Sequence, residues 1–373
     1  MKICLIGPTY PFRGGIAHHT TLLYRNLKKK HDITFFAFKR QYPRWLFPGR
    51  TDVDKSEFAI RENGAEIILD SLNPYSWWSV FRRIKKVSPD LVIFPWWVSF
   101  WTLPFWTIAS FVRKFTRARI LFICHNVVAH ESKCMDEYCT RQVLRKGDFF
   151  LVHSEEDIKN LKRASVPTAK VKKVYHPSYD VFNFEKMSKE MAQQQLGIEG
   201  HTLLFFGFIR PYKGLKYLIE AMPLVLKRLN VTLLIVGEFW ESKEQYIKSI
   251  EMLGIDTNVK IVSEYVPNED VELYFAASDV IIMPYVSGTG SGIAQIAFGF
   301  NKPVIATNVG CLPEIIEDDR TGFIVHPQRA DEIAEAVIRF YEEEKTKEFP
   351  RHIVEKKDTF SWDRIVESIE GFF

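Results

Sequence analysis

A chain of 373 residues, 46% apolar and 26% charged, is too long for one ordinary core and too apolar for disorder, so two globular domains of roughly 150–200 residues are expected. The five cysteines (Cys4, Cys124, Cys134, Cys139, Cys311) are odd in number and contain no CxxC pair, so neither a disulfide framework nor a standard zinc site is indicated. The net charge of +4 conceals an asymmetry: residues 1–180 hold 30 Lys and Arg against 16 Asp and Glu, and residues 181–373 hold 20 against 30.

Met1-Lys2 leads straight into an apolar run and a Gly-Pro turn, so no signal peptide is expected and a cytoplasmic location is the default. Short apolar runs rich in β-branched and aromatic residues recur at 2–6, 91–94, 120–124 and 149–153. A second series follows at 203–206, 232–236, 259–262, 280–283, 304–306 and 323–325. Continuous apolar strands alternating with helical patterns predict parallel sheets covered on both faces, an α/β architecture. Residues 91–112 carry no charge, yet Pro95 and Pro104 interrupt them and 91–94 reads as a strand, so a membrane-spanning helix is not expected. The strand-poor stretch from His176 to Phe184 reads as a hinge between two doubly wound domains that would face one another across a cleft.

In such sheets ligands sit beyond the carboxyl ends of the strands, so the loops there are the places to search. The first, Gly7 to Gly14-Gly15-Ile16, leaves a strand and opens a helix; it is neither GxGxxG nor a Walker loop, and alone it reads as a turn or as a backbone cradle. The next, His125-Asn126 to His130-Glu131, offers a histidine for ligand contact or proton handling, or a structural one. Cys134 and Cys139 stand near His130 without the ligand spacing usual for zinc. In the second half, Gly207-Phe208-Ile209-Arg210-Pro-Tyr-Lys213-Gly214 places two cations just before a helix start. Helix dipole and charge-assisted hydrogen bonds there suit a diphosphate. A second anion cradle, Ser287 to Gly290-Ser291-Gly292, also leads into a helix.

Taken together these segments resemble the retaining glycosyltransferases of family 4, which have the GT-B fold of two Rossmann-like domains. The likeness covers nearly the whole chain. It rests on Gly14-Gly15-Ile16, His125-Asn126, Lys213-Gly214 with the following Leu-Ile-Glu-Ala, Lys302 to Gly310 with Pro313-Glu314, and Phe360-Ser-Trp362-Asp. It implies an N-terminal acceptor-side domain over 1–178, a donor domain over 179–355, and a C-terminal helix over 356–373 that crosses back. The reaction implied is transfer of a hexose-type sugar from a nucleoside diphosphate donor to a glycan or lipid-linked acceptor, with retention, in cell-surface polysaccharide synthesis. Gly15 would meet phosphates or acceptor, and His125 would line the transferred sugar. Arg210 and Lys213 would carry catalysis by neutralising the diphosphate. Gly207, Val266, Ser291, Gly292 and Glu314 would bind the donor, with Val266 at the nucleobase, while Gly14, Ile16 and His130 would lie on the acceptor side. No metal or other cofactor is implied, since the cations replace it.

Two departures stand out. Where the family has Gly-Arg-Leu this chain has Gly207-Phe208-Ile209, and Arg210 is the substitute at hand. The family's Glu-x7-Glu pair falls on Gly288 and Ile296, so the chain resembles a branch lacking that motif, and a non-catalytic nucleotide-sugar-binding protein is the rival reading. Seven of the nine tryptophans (Trp45, Trp77, Trp78, Trp96, Trp97, Trp101, Trp106) fall in the first 110 residues between basic clusters. An anionic membrane surface is therefore an expected partner, with peripheral attachment to the inner face of the cell membrane. The basic half shows no nucleic-acid-binding motif, so no nucleic acid is expected.

Overall fold

The apolar runs form buried strands because both faces of each are covered, as the β-branched and aromatic side chains require. The computed structural model describes residues 1–43, 45–46, 51–127, 134–166, 170–184, 186–288 and 290–373. Seven strands form the first sheet: β1 (Lys2–Gly7), β2 (Asp32–Arg40), β3 (Ala65–Asp70), β4 (Leu91–Trp96), β5 (Arg119–Cys124), β6 (Phe149–Val152) and β7 (Val171–Lys173). They run parallel in the order β3-β2-β1-β4-β5-β6-β7. Helices α1 (Gly15–Leu27), α2 (Pro74–Val87), α3 (Thr102–Phe115), α4 (Cys134–Leu144) and α5 (Glu155–Arg163) make the crossovers between them.

The second sheet comprises β8 (His201–Phe206), β9 (Val231–Val236), β10 (Val259–Val262), β11 (Val280–Met283), β12 (Val304–Thr307) and β13 (Gly322–Val325). Its order is β10-β9-β8-β11-β12-β13, again parallel. Helices α6 (Lys189–Leu196), α7 (Leu215–Leu226), α8 (Glu244–Leu253), α9 (Asn268–Ala277), α10 (Gly292–Gly299), α11 (Leu312–Ile315), α12 (Ala330–Glu342) and α13 (Lys345–Glu355) accompany it. The last helix, α14 (Trp362–Glu370), buries Ile365, Val366 and Ile369 beside Leu23, Leu27, Ile3 and Leu5 on one face of the first sheet.

Two compact units result. One is Met1–Lys55 with Ala59–Tyr175 and Trp362–Phe373; the other is Ser56–Phe58 with His176–Ser361. Both sheets are doubly wound, so each has a point where the winding reverses, between β1 and β4 in one and between β8 and β11 in the other.

Three strands lie outside the series read from the sequence: β2, β3 and β7. β7 is three residues of Val-Lys-Lys at a sheet edge, where polar side chains cost nothing. β2 ends in exposed Lys39 and Arg40, which blur the apolar run of Phe35 to Phe38. The uncharged stretch from 91 onward divides into β4, a short 3₁₀ turn (Ser99–Trp101) and α3. Among the described residues no helix is long and apolar enough to cross a membrane. Trp96 and Trp101 are fully buried, Trp77 nearly so and Trp97 half-buried, which leaves Trp45, Trp78 and Trp106 as the exposed members of the tryptophan-rich segment. Much of that segment therefore serves the core of the first unit, where Trp101 stacks on Phe38 at 4.2 Å.

Candidate functional site

In the second unit the loops after β8 and β11 meet, because those strands are neighbours at the reversal point. The β8 loop turns through Gly207 and a 3₁₀ turn (Pro211–Lys213), then Gly214 caps α7 in the left-handed region at φ +68°. A Cβ on Gly214 would stand 1.9 Å from the Pro284 carbonyl oxygen, so only glycine permits this approach of the two loops. The Val286 amide donates to the Tyr212 carbonyl at 2.7 Å and ties them further.

Lys213 projects into this junction. Its side chain is buried, with 7% of its surface exposed, and its Nζ lies 5.5 Å from the centre of the Tyr285 ring. The same Nζ is 3.0 Å from where a Cβ on Gly207 would sit, so the glycine makes room for the ammonium. Burial lowers the Lys213 pKa, Tyr212 offsets this in part and Arg210 adds to it, and among the described residues no carboxylate acts on the group. A buried ammonium of this kind gains from a negatively charged ligand. Tyr285 hydroxyl and Ser291 hydroxyl are 3.0 Å apart, and Ser291 caps α10 by accepting from the Ile293 amide at 3.2 Å. Lys213, Gly207, Ser291 and Gly292 are thus brought to one place. Burial raises the Tyr285 pKa to about 12, so its hydroxyl remains a neutral donor and acceptor.

The other expected donor residues flank this centre. The Arg210 guanidinium lies over Tyr212 at 5.3 Å and over Trp240 at 5.5 Å. Phe208 stacks on Trp240 at 4.5 Å and lies 6.2 Å from Tyr265, both near-parallel. Phe208, Trp240 and Tyr265 follow β8, β9 and β10, so three adjacent strand ends build one aromatic wall, and Val266 is buried beside Tyr265 in the chain. The sequence reading named Phe208 only as a departure and missed Trp240 and Tyr265 as its partners, since the three stand in loops far apart in the chain. Glu314 lies in α11, whose preceding Cys311 Sγ is 3.2 Å from a Cβ on Gly290. The space at Gly290 is thus bounded by Cys311, which places the Glu314 turn beside the loop ahead of Ser291.

The first unit carries the remaining expected residues. Gly14 precedes α1 and Gly15 begins it; a Cβ on either would meet nothing within 4 Å. Ile16 is half-buried in the first turn, its carbonyl accepting from the Thr20 hydroxyl at 2.8 Å. His130 lies outside the described residues. His125 immediately follows β5, its amide donating to the Trp96 carbonyl at 2.8 Å. The next turn is fixed by Asp157, which accepts from the Val127 amide at 3.1 Å and the Ser154 hydroxyl at 2.7 Å. Two histidines absent from the sequence reading join His125: His19 from α1, 4.5 Å away between ring centres, and His153 after β6, 5.4 Å away.

Comparison with known proteins agrees with this geometry. Residues 187–358, most of the second unit, match the family Glycosyl transferases group 1. The D-inositol 3-phosphate glycosyltransferase of Corynebacterium glutamicum is 26% identical over 322 residues, 79% of this chain and 74% of that protein. Spore coat protein SA of Bacillus subtilis is 24% identical over 407 residues, 99% of this chain and 98% of that protein. The Anabaena protein HepE, solved in complex with UDP, superimposes with a TM-score of 0.76 at 17% identity, covering 100% of both chains. The fold is therefore that of GT-B glycosyltransferase structures, two Rossmann-like parallel-sheet domains, and the family match falls within the second of them.

Proposed function

We propose that this chain is a retaining glycosyltransferase that moves a hexose-type sugar from a nucleoside diphosphate to a glycan or lipid-linked acceptor, in cell-surface polysaccharide synthesis. The observation that carries the reading is Lys213: a buried lysine at a strand-to-helix junction, with no carboxylate acting on it among the described residues. The donor's diphosphate supplies the missing negative charge. HepE, on the same fold, has been solved with UDP and with UDP-glucose.

In the reaction the bond between the anomeric carbon and the diphosphate oxygen breaks, and negative charge grows on the departing phosphate. Lys213 and Arg210 meet that charge, as preorganised donors in a water-poor site do. Gly207, Ser291 and Gly292 let backbone amides approach the phosphates, and Glu314 contacts the sugar. The aromatic wall of Phe208, Trp240 and Tyr265, with Val266, holds the base. His125 lines the transferred sugar, and Gly14, Gly15 and Ile16 face the acceptor side. The acceptor hydroxyl attacks on the face the diphosphate leaves, its proton passing to the departing phosphate oxygen, which retains configuration. No metal enters this scheme.

Attachment to an anionic membrane surface belongs to the same reading. Packed helices α2 and α3 expose Trp78, Leu103, Trp106 and Phe115. The Arg82 guanidinium lies 4.8 Å above the Trp78 ring and the Lys146 ammonium 5.0 Å above Trp106. Exposed indoles beside cations suit a headgroup region.

A panel of nucleotide sugars in a thermal-shift screen tests the proposal. The true donor at 100 times its dissociation constant stabilises by about 2.7 kcal/mol. A chain that no nucleoside diphosphate sugar stabilises is not the enzyme proposed here.

A further inference from the structure

We propose that His19, His125 and His153 form a binding site for a single borderline transition-metal cation such as Zn2+, distinct from the donor-phosphate centre and not required for transfer. The observation is convergence within the first unit. One ligand nitrogen from each of the three residues lies within 4.8 Å of the other two. Zn–N bonds of about 2.0–2.1 Å in a tetrahedron put nitrogens roughly 3.4 Å apart. Nitrogens at most 4.8 Å apart lie within about 1.4 Å of that spacing.

The fold explains why the three meet. In the β5–β6 pairing Cys124 stands opposite Val152, so the next residues, His125 and His153, emerge side by side at the carboxyl edge of the sheet. His19 reaches the same place from the second turn of α1, and its ring is edge-on to that of His125. His153 is oriented by its surroundings: its Nδ1 bonds the Val174 carbonyl at 2.9 Å. A carbonyl is an acceptor only, so that nitrogen carries the proton and Nε2 carries the lone pair, the arrangement by which protein metal sites orient their histidines. His19 is buried and His125 half-buried, so an ion enters past His125. Three imidazole nitrogens match the ligand preference of Zn2+ better than that of Mg2+ or Ca2+, which favour oxygen.

The site does not depend on the transferase reading. Where that reading holds, an ion on His125 also displaces the transferred sugar and inhibits.

The experiment measures binding with no donor present. Zn2+ is titrated into the full chain against a chromophoric chelator, and Co2+ is added separately to record its visible spectrum. The expected results are one ion per chain and the intense visible bands of tetrahedral cobalt. Affinity should fall at least about tenfold in each of His19→Asn, His125→Asn and His153→Asn. His125→Asn, at a half-buried position, keeps the test open if a buried variant fails to fold, as far-UV circular dichroism reports. His326→Asn, which removes the exposed histidine paired with Glu332 in the second unit, should leave affinity unchanged. Absence of micromolar binding by the parent chain, or equal affinity in folded His125→Asn, overturns the site. So does loss of binding in His326→Asn alone.

Discussion

Gly214→Ala is the sharpest structural test of how the donor loops are joined. The new Cβ would lie 1.9 Å from the Pro284 oxygen, and real contacts of this kind stop near 3.0 Å, so the two loops must part by about 1.1 Å. The residue must also hold φ near +68°, which costs a non-glycine residue roughly 1–2 kcal/mol. Parting the loops stretches the 2.7 Å bond from the Val286 amide to the Tyr212 carbonyl, worth about 1 kcal/mol net. With some lost packing, a total of about 3 kcal/mol follows, or roughly 6–12 °C in the melting of a unit of this size. Gly254→Ala is the internal control. Gly254 also ends a helix in the left-handed region, at φ +64°, but its Cβ would meet nothing within 4 Å. It should cost only about 1–2 kcal/mol. Scanning calorimetry of both variants separates the two contributions. If Gly214→Ala melts no lower than Gly254→Ala, the close approach of the loops is not what the structure describes, and the placement of Lys213 loses its support.

His153 predicts a pH dependence. Its folded pKa is pushed down to about 4 by burial while an unfolded histidine titrates near 6.5, so only the unfolded chain takes up a proton between those values. The stability contribution is full above about pH 6.5 and is lost as pH falls toward 4, up to about 3 kcal/mol in all. Urea unfolding across that range should show the loss in the parent chain and a flatter profile in His153→Asn; parallel profiles would refute it. Replacing Arg113, Lys114 and Arg117 with Glu should abolish sedimentation with anionic vesicles, since each cation near such a surface contributes about 1 kcal/mol. Equal sedimentation of parent and variant, or of parent with neutral and anionic vesicles, would remove the membrane from the account.

Much of the fold was legible in the sequence because parallel strands buried on both faces must be apolar throughout. Leu203 to Phe206 and Val280 to Met283 are such runs, and the helix between them shows its buried stripe at Leu215, Leu218, Ile219 and Met222. Edge strand β7 was not legible, since a half-exposed Val-Lys-Lys carries no such pattern. The site was legible where glycines and cations cluster locally, as from Gly207 to Gly214. It was not legible where single residues from separate elements converge. Phe208, Trp240 and Tyr265 stand more than twenty residues apart in the chain yet form one wall, because β8, β9 and β10 are neighbours in the sheet. His19 and His153 were missed for the same reason. Histidines that converge from α1 and from the turns after β5 and β6 have no spacing in the chain to recognise.

The central claim is that a buried cation at the β8–α7 junction stabilises a departing nucleoside diphosphate without a metal. The direct measurement is release of nucleoside diphosphate from the donor found by thermal shift, followed chromatographically with EDTA present, for the parent chain, Lys213→Met and Arg210→Ala. The account predicts sustained release by the parent chain and a fall on the order of 10²–10³ in kcat for Lys213→Met, with a loss in Arg210→Ala as well. Full activity in Lys213→Met, or loss of parent activity in EDTA that added metal restores, would contradict it.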